Sequence, residues 1–210
     1  MTDPIILPEA VPVMPLPGAL LFPHALLPLY IFETRYQAML QHALSDHRMF
    51  CVAMINPPRS DWTSPFDFRQ IATVGLIRAC VGRGDGTSNL ILQGLQRVRF
   101  ISFRQDRPFP IAVIEPLASL PATSSVESDA LGTKVLDLYE HFKSTGREFP
   151  AKVDRYLADL SDPEMLADLM SATFVTDPLR RQELLEELSV PQRLRLVIQY
   201  LREETGDAAA

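Results

Sequence analysis

The stretch that decides the fold runs from Val11 to Leu44 and reads VPVMPLPGALLFPHALLPLYIFETRYQAMLQHAL. Positions 10–32 form 23 consecutive residues without a formal charge, between Glu9 and Glu33. A helix of that length is long enough to span a bilayer. Five prolines interrupt the run, however, and each proline fixes φ and removes a backbone donor. The run is therefore predicted to form short strands and turns buried in a protein core, with no membrane span.

The charge-free run leads into a predicted helix that begins at Glu33-Thr34. Apolar side chains then recur at the i, i+3, i+4 spacing of a single helix face. The side chains on this face are Tyr36, Met39, Leu40, Ala43 and Leu44.

Apolar segments of the first half are predicted to be β-strands, because they are short and bounded by Gly, Pro, Asn or Asp. They are residues 11–16, 26–32, 49–55, 71–81, 89–93, 95–103 and 109–115. Prolines restrict the first of these strands to an edge or an irregular position. Asp85-Gly86 marks a hairpin turn, and Gly94 marks a bend or bulge. A change of alternation at Ile101 indicates a further bulge.

The second half changes to helical periodicity, with one apolar stripe over 131–142 and another over 153–160. Further helices are predicted to begin at Ser161–Glu164, at Asp177-Pro178 and at Ser189–Gln192. The predicted fold class is therefore α+β, with a mostly antiparallel barrel or sandwich followed by a helical bundle. The predicted domains are a β domain over residues 1–118, a linker over 119–128 and a helical domain over 129–210.

Charge and cysteine usage narrow the class of protein. The net charge of −6 divides into +1 over residues 1–118 and −7 over 119–210, which argues against non-specific nucleic-acid binding. Cys51 and Cys80 lie in apolar runs and are interpreted as small buried hydrophobes rather than a disulfide scaffold. The first ten residues lack the positive region of a secretory signal, so a cytoplasmic protein is predicted.

Two motifs of the first half are informative together. The first is the segment with Pro15-Leu16, Phe22-Pro23 and Pro28-Leu29, and the second is Asp85-Gly86-Thr87 followed by the strand Gly94–Arg99. Taken together, they resemble the N-terminal domain of the Lon protease family. With the helical half, the resemblance covers residues 11–204. It implies a PUA-like pseudo-barrel followed by a helical bundle, and it implies recognition of protein substrates.

The ATPase and peptidase activities of that family are not expected here, because the sequence has no G-x-x-x-x-G-K-[ST] loop and no residues left for either module. We therefore expect a non-enzymatic module that binds exposed apolar or extended segments of protein clients. A separate protease or chaperone is a further expected partner, whereas no membrane, cofactor or metal is expected. The client and the oligomeric state stay open.

Apolar residues in and beside loops are the candidate peptide-binding residues, because such side chains would form a patch for an extended segment if they were exposed together. They are Leu21, Phe22, Leu26, Leu27, Trp62, Phe66 and Phe68. The alternative is that they seal the core.

A local basic cluster supports an alternative function, a PUA-like RNA-binding module. It comprises Arg97, Arg99, Arg104 and Arg107. The competing interpretation is a solvated face of the barrel, which the acidic net charge favours.

Other candidate sites have simpler structural interpretations. The four histidines, His24, His42, His47 and His141, lack the four convergent ligands of a structural zinc site. Residues 82–86 are glycine-rich but precede a strand, whereas a phosphate loop needs a helix. A catalytic constellation is not evident, although a hydrolase with an unrecognised polar cluster remains a third hypothesis.

Overall fold

The computed structural model describes residues 6–122, 124–144 and 160–205. The chain divides into two compact units. The first unit comprises the chain up to Leu21 together with Ala25–Leu117, and the second comprises Phe22–His24 and the chain from Ala118 onward. As predicted, strands and one early helix form the first unit, and helices follow.

Six strands form the sheet of the first unit. They are β1 (Ala10–Pro17), β2 (Leu26–Ile31), β3 (Met49–Ile55), β4 (Ile71–Gly82), β5 (Ser88–Arg104) and β6 (Ile111–Pro116). Their order is β2-β5-β4-β3-β1-β6, and β6 also pairs with the second half of β5. The sheet therefore curls back on itself as a pseudo-barrel without closing fully, because β2 lies beside β5 alone. The pair β1–β3 is parallel and the other pairs are antiparallel.

The prolines of β1 predicted an edge or an irregular position, and the structure shows the irregular one. β1 lies between β3 and β6, but the two neighbours pair with different halves of it. Residues 10–12 pair with β6, and residues 13–17 pair with β3. Each half therefore has one side free of strand pairing, and a proline is tolerated where its missing N–H faces that side.

β5 joins two predicted strands into one strand of 17 residues. The predicted irregularity at Gly94 is confirmed, since the register with β4 passes from Gln96 to Gly94 and leaves Leu95 without a partner residue. The predicted bulge at Ile101 is also confirmed, because the register with β6 passes from Phe100 to Ser102. These bulges bend β5 so that one strand serves both ends of the sheet.

The continuous apolar run of β3 is buried on both of its faces. Phe50 and Val52 pack into one hydrophobic cluster, whereas Cys51 and Ala53 pack into another. Helix α1 (Thr34–Ser45) covers the first cluster with its predicted apolar face, except that Leu44 is exposed. The alternation of a strand thus lets β3 divide the core into two layers.

The second unit contains four described helices. They are α2 (Ser125–Ser144), α3 (Pro163–Phe174), α4 (Pro178–Glu186) and α5 (Val190–Thr205). The Asp162 and Asp177 carboxylates accept backbone N–H groups at the starts of α3 and α4. Both helices begin where the sequence predicts, but Asp162 caps α3 in place of the predicted capping box from Ser161 to Glu164. The predicted stripe at Val153, Tyr156 and Leu157 lies outside the described residues. None of the described helices is long and apolar enough to cross a membrane.

The segment before α2 is hydrogen-bonded to the helical unit. The Leu120 N–H donates to the Leu188 carbonyl at 2.8 Å, and the Val190 N–H donates to the Leu120 carbonyl at 3.0 Å. The Ser119 hydroxyl accepts from the Arg193 guanidinium at 2.9 Å. This segment therefore has fixed partners in the second unit.

Arg193 and Asp168 form a fully buried ion pair in the second unit. The Arg193 Nη1 and Asp168 Oδ1 atoms are 2.9 Å apart, and both side chains have no solvent exposure. Arg193 Nε also donates to the Glu187 carbonyl at 2.9 Å. These bonds join α5 to α3 and to the chain before α5, which compensates for burying a charge.

We predict that Asp168→Ala lowers the free energy of unfolding of the helical unit by about 3–5 kcal/mol, because it removes the buried counter-ion of Arg193 and leaves only the partly exposed Glu164 carboxylate at 3.9 Å. Urea unfolding followed by far-UV circular dichroism measures this change. The matched control is Glu203→Ala, which removes a partner of Arg180 from a partly exposed ion pair and should cost about 1 kcal/mol or less. Equal losses in the two variants would contradict the structural role of the buried pair.

We also predict that Gly75→Ala destabilises the first unit. A Cβ atom at Gly75 would overlap with Leu92 Cγ and would lie 2.8 Å from Leu21 Cδ2, in a packed core. The expected loss is about 1–3 kcal/mol, measured by urea unfolding with Trp62 fluorescence as the probe. Gly84→Ala is the control, because nothing lies within 4 Å of the Cβ there. A neutral Gly75→Ala would show that this contact is not tight.

Candidate functional site

An apolar surface covers the outer face of β2, β5 and β4. Alternate residues of a strand point to the same face, and the strand register aligns them across the sheet. Ile91 of β5 pairs with Pro28 of β2 on one side and with Ala79 of β4 on the other. Tyr30 and Val81 flank Asn89 in the next row. We call this surface the outer sheet face and define it by Leu26, Pro28, Tyr30, Ala79, Val81 and Ile91.

The outer sheet face is open to solvent although it is apolar. The exposed fractions are 63% for Leu26, 48% for Tyr30 and 66% for Val81. Tyr30 and Val81 line a groove of about 350 Å³, whose floor and walls also include Pro28 and Ile91. Large exposed apolar side chains gathered on one sheet face are typical of an interaction surface.

Aromatic and cationic groups border the groove. The rings of Tyr30 and Phe32 stack with their centroids 5.7 Å apart, and Phe32 is 60% exposed. The Arg83 guanidinium carbon lies 5.3 Å from the centre of the Tyr30 ring. At the other end, Arg78 Nε donates to Gln93 Oε1. Both ends of the apolar groove therefore carry an exposed arginine.

Sequence reasoning missed most of this face. Only Leu26 of its six residues was a predicted binding residue. The signal was present, since Leu26, Pro28, Tyr30 and Phe32 alternate along β2 as apolar residues. It was obscured because the intervening residues are apolar as well, which is typical of a strand buried on both faces. The alignment of these residues with Val81 depends on the strand register.

The structure distributes the predicted peptide-binding residues over core and surface. Leu21, Phe22 and Phe68 have exposed fractions of 1% or less and are core residues. Leu27 packs at the edge of the core beneath β2. The predicted patch is therefore not one exposed surface.

Three further residues of that set retain exposed area. Leu26 belongs to the outer sheet face. Trp62 is half-buried against the cluster around Phe68. Phe66 is 88% exposed at the end of the loop 56–70.

Side chains fix the loop around Phe66. Asp67 Oδ2 accepts the N–H groups of Thr63 and Ser64 at 2.9 Å each, and the Thr63 hydroxyl at 3.1 Å. Asn56 Nδ2 donates to the Phe66 carbonyl at 3.1 Å. The Phe66 backbone is thus held on both sides while its ring faces solvent.

Trp62 anchors the same loop to α1. Its indole N–H donates to the Tyr36 hydroxyl at 3.2 Å, and that hydroxyl donates to the Pro15 carbonyl at 2.8 Å. Arg35 lies over both rings and pairs with Asp61 at 3.0 Å. Burial raises the pKa of the Tyr36 hydroxyl to about 12, so it remains a neutral donor at physiological pH.

A family model described as the ATP-dependent protease La (LON) substrate-binding domain matches residues 10–203. The chain belongs to this LON substrate-binding domain family. The resemblance predicted from the proline-rich segment and the Gly94–Arg99 strand is confirmed.

Related proteins and solved structures agree with this assignment. The chain is 30% identical over 198 residues to a Lon protease of Dictyoglomus thermophilum, covering 94% of this chain and 25% of that protein. It is also 30% identical to Lon protease 2 of Herpetosiphon aurantiacus, covering 92% and 24% respectively. The chain thus spans about a quarter of the length of these relatives.

Solved structures confirm the α+β fold. The N-terminal domain of the Mycobacterium avium complex Lon protease matches with a TM-score of 0.72 and 18% identity, covering 93% of this chain and 99% of that chain. A Lon N-terminal domain protein from Xanthomonas campestris matches with a TM-score of 0.64 and 19% identity, covering 90% and 96%.

The positions of the four arginines in this LON family domain do not favour the RNA-binding alternative. Arg97 is 2% exposed, so its guanidinium is a core group. Arg99 pairs with Glu115 at 3.1 Å on the surface. Arg104 is exposed, and Arg107 lies with its guanidinium carbon 6.0 Å from the centre of the Phe109 ring. The four arginines therefore do not form one exposed basic face.

The described part of the LON family domain contains no group of three His, Cys, Asp or Glu side chains arranged to hold a metal ion. Cys51 is fully buried, and burial raises the pKa of its thiol above the usual range. A thiol with a raised pKa is a poor nucleophile.

We predict that acid loosens the loop around Phe66. The hydrogen bonds from Thr63 and Ser64 lower the pKa of Asp67. The hydrogen bond from the backbone N–H of Trp62 lowers the pKa of Asp61. A carboxylate with a lowered folded pKa stabilises the native loop above the unfolded value of about 3.9. This stabilisation is lost as pH falls through the lower folded value. Trp62 fluorescence should therefore change as the pH falls below about 4.

The matched variants for this titration are Asp67→Asn and Asp61→Asn. Each should remove part of the fluorescence change, and the double variant should remove most of it, because an amide does not titrate. Far-UV circular dichroism is followed in parallel to detect global unfolding. A full transition in the double variant would show that other carboxylates control the loop.

Proposed function

We propose that this chain is a non-enzymatic module that binds exposed apolar or extended segments of protein clients through the outer sheet face. One observation supports the proposal most strongly. A domain of a substrate-binding family leaves a contiguous set of large apolar side chains in solvent on one sheet face. A client that covers them removes this apolar area from water, which is favourable by about 25 cal/mol per Å².

The size of the groove suits weak and adaptable binding. Its volume of about 350 Å³ lies near the lower end of small-ligand pockets, which run from about 300 to 1,000 Å³. One or a few client side chains would fill it at a time. We expect micromolar affinity, which corresponds to about −8 kcal/mol.

β2 gives an extended segment a second way to bind. β2 is the last strand of the sheet order, so its outer edge is a place where another strand can be added. Pro28 lacks an N–H and limits the backbone bonds available there. Side-chain contacts on the outer sheet face should therefore supply most of the affinity, with edge pairing as support.

Phe66 is a second proposed contact. Its ring is 88% exposed, and the Asn56 and Ser64 side chains fix the backbone on both sides of it. An aromatic side chain that is already oriented loses little conformational entropy on binding. Phe66 and Leu26 are the sequence-predicted residues that this proposal retains.

The relatives are named Lon protease and are about four times as long as this chain. We therefore propose that clients bound here are passed to a protease or chaperone, and that this takes place in the cytoplasm. The chain itself would supply recognition in this scheme.

The test compares a double variant of the outer sheet face with the wild type. Tyr30→Ser with Val81→Ser should weaken binding of a reduced, carboxymethylated polypeptide about tenfold, because two apolar contacts are lost. Fluorescence anisotropy of the labelled polypeptide measures the dissociation constant. The two positions are 48% and 66% exposed, so the fold should tolerate the change.

The control is Val126→Ser with Leu179→Ser in the second unit, whose side chains are 72% and 49% exposed. This double variant makes the same kind of change elsewhere and should bind normally. Phe66→Ser is tested separately and should weaken binding less than the double variant. Unchanged binding in the Tyr30 and Val81 variant would remove the outer sheet face from the proposal.

A further inference from the structure

The charge distribution around the groove of the outer sheet face is unbalanced. The strand segments that form this face are residues 26–31, 76–82 and 88–93, and Arg78 is their one charged residue. Arg83 follows directly at the end of β4. The nearby acidic group, Asp85, is engaged within its own turn, because its carboxylate accepts from the Thr87 N–H at 3.0 Å and from the Thr87 hydroxyl at 2.7 Å.

The two arginines mark opposite ends of the groove. Arg78 donates to Gln93, which lies opposite Leu26. Arg83 stacks on Tyr30, which lies opposite Asn89. Gln93 and Asn89 are four residues apart on β5, which corresponds to about 14 Å along a strand.

Both guanidinium groups are accessible to a ligand. Arg78 and Arg83 are exposed, and neither forms an ion pair with any residue in the described ranges. Their side-chain contacts, with the Gln93 amide and the Tyr30 ring, are to neutral groups, although Arg83 is also near enough to Asp85 to help lower the pKa of that carboxyl after its hydrogen bonds from Thr87. Such contacts orient an arginine without satisfying its charge, so its planar donors stay available for a carboxylate.

We propose that the outer sheet face selects extended client segments in which an apolar residue lies between two acidic residues. The spacing follows from strand geometry. In an extended segment, residues i, i+2 and i+4 point to one side, and residues i and i+4 are about 14 Å apart. Acidic residues at i and i+4 reach Arg78 and Arg83 while the apolar residue at i+2 enters the groove. This inference rests on the proposed function and adds a charge preference to it.

The net charge of the chain does not oppose this preference locally. The −6 of the whole chain arises from residues 119–210, whereas residues 1–118 carry +1. Over residues 76–93 the charged residues are Arg78, Arg83 and Asp85, so the charge of this stretch is +1.

The test uses two fluorescently labelled, terminally blocked peptides with the sequences SGEVLVEGS and SGQVLVQGS. Both present Val-Leu-Val, and only the first carries Glu at i and i+4. Anisotropy titrations at about 0.05 M salt should give threefold to tenfold tighter binding of the Glu peptide, as expected for two exposed ion pairs. The ratio should shrink at about 0.5 M salt, because the Debye length falls.

The decisive variant is Arg78→Gln with Arg83→Gln, which should bring the ratio of the two affinities to about one. Its control is Arg104→Gln with Arg107→Gln, which removes the same charge from exposed positions of the first unit and should keep the wild-type ratio. A preference for the Glu peptide that survives in the Arg78 and Arg83 variant would overturn the charge assignment.

The possible failures are distinguishable. If both peptides bind equally well and Tyr30→Ser with Val81→Ser weakens the binding of both, the proposed function is upheld and the acidic preference is overturned. Binding of neither peptide would overturn both. Analytical sedimentation tests a further outcome. If the wild type is a dimer and Val81→Ser makes it a monomer, the outer sheet face binds a second copy of this chain, and the acidic preference is overturned.

Discussion

The first unit depends on the pairing of β5 with three other strands. β5 pairs with β2, β4 and β6 along its 17 residues, so it contributes to both ends of the sheet. A straight strand could not do so, and the irregularities near Leu95 and Ile101 provide the bend. The first half of β5 pairs with β2 on one side and with β4 on the other, and these three strands together form the outer sheet face.

The outer sheet face is a departure from the rule that an exposed sheet face is polar. Its opposite side is conventional, since Leu90 and Leu92 of β5 are buried beneath it. An exposed Tyr30 or Val81 contributes little to folding, and an apolar edge is a liability for aggregation. Proline in β2 and arginines at both ends of the groove limit this liability, because they oppose uncontrolled strand pairing.

Much of the fold could be predicted from the sequence. Residues 49–55, the start of α1 after Glu33 and the irregularity at Ile101 were all predicted from patterns within a few residues. Local patterns could not predict which strands are neighbours. The central position of β1 depends on β6, whose residues lie about a hundred positions further along the chain.

The candidate site was predicted less well than the fold. Phe66 and Phe68 have the same side chain two residues apart, yet one is 88% and the other 1% exposed. The difference arises from the short 3₁₀ turn at Pro65–Asp67 and from the aromatic rings that surround Phe68, including Phe103 at 5.5 Å. Composition near a loop cannot distinguish these two outcomes, because each depends on contacts with residues distant in sequence.

The divided pairing of β1 has a consequence for the order in which a growing chain can fold. Residues 10–12 are synthesised about a hundred residues before their partner segment, residues 111–113. At about 5–20 residues per second, that partner leaves the ribosome several seconds to about twenty seconds later. Residues 10–12 therefore lack their β6 partner during this interval. A nascent chain must keep these apolar residues from other apolar surfaces until the sheet is completed.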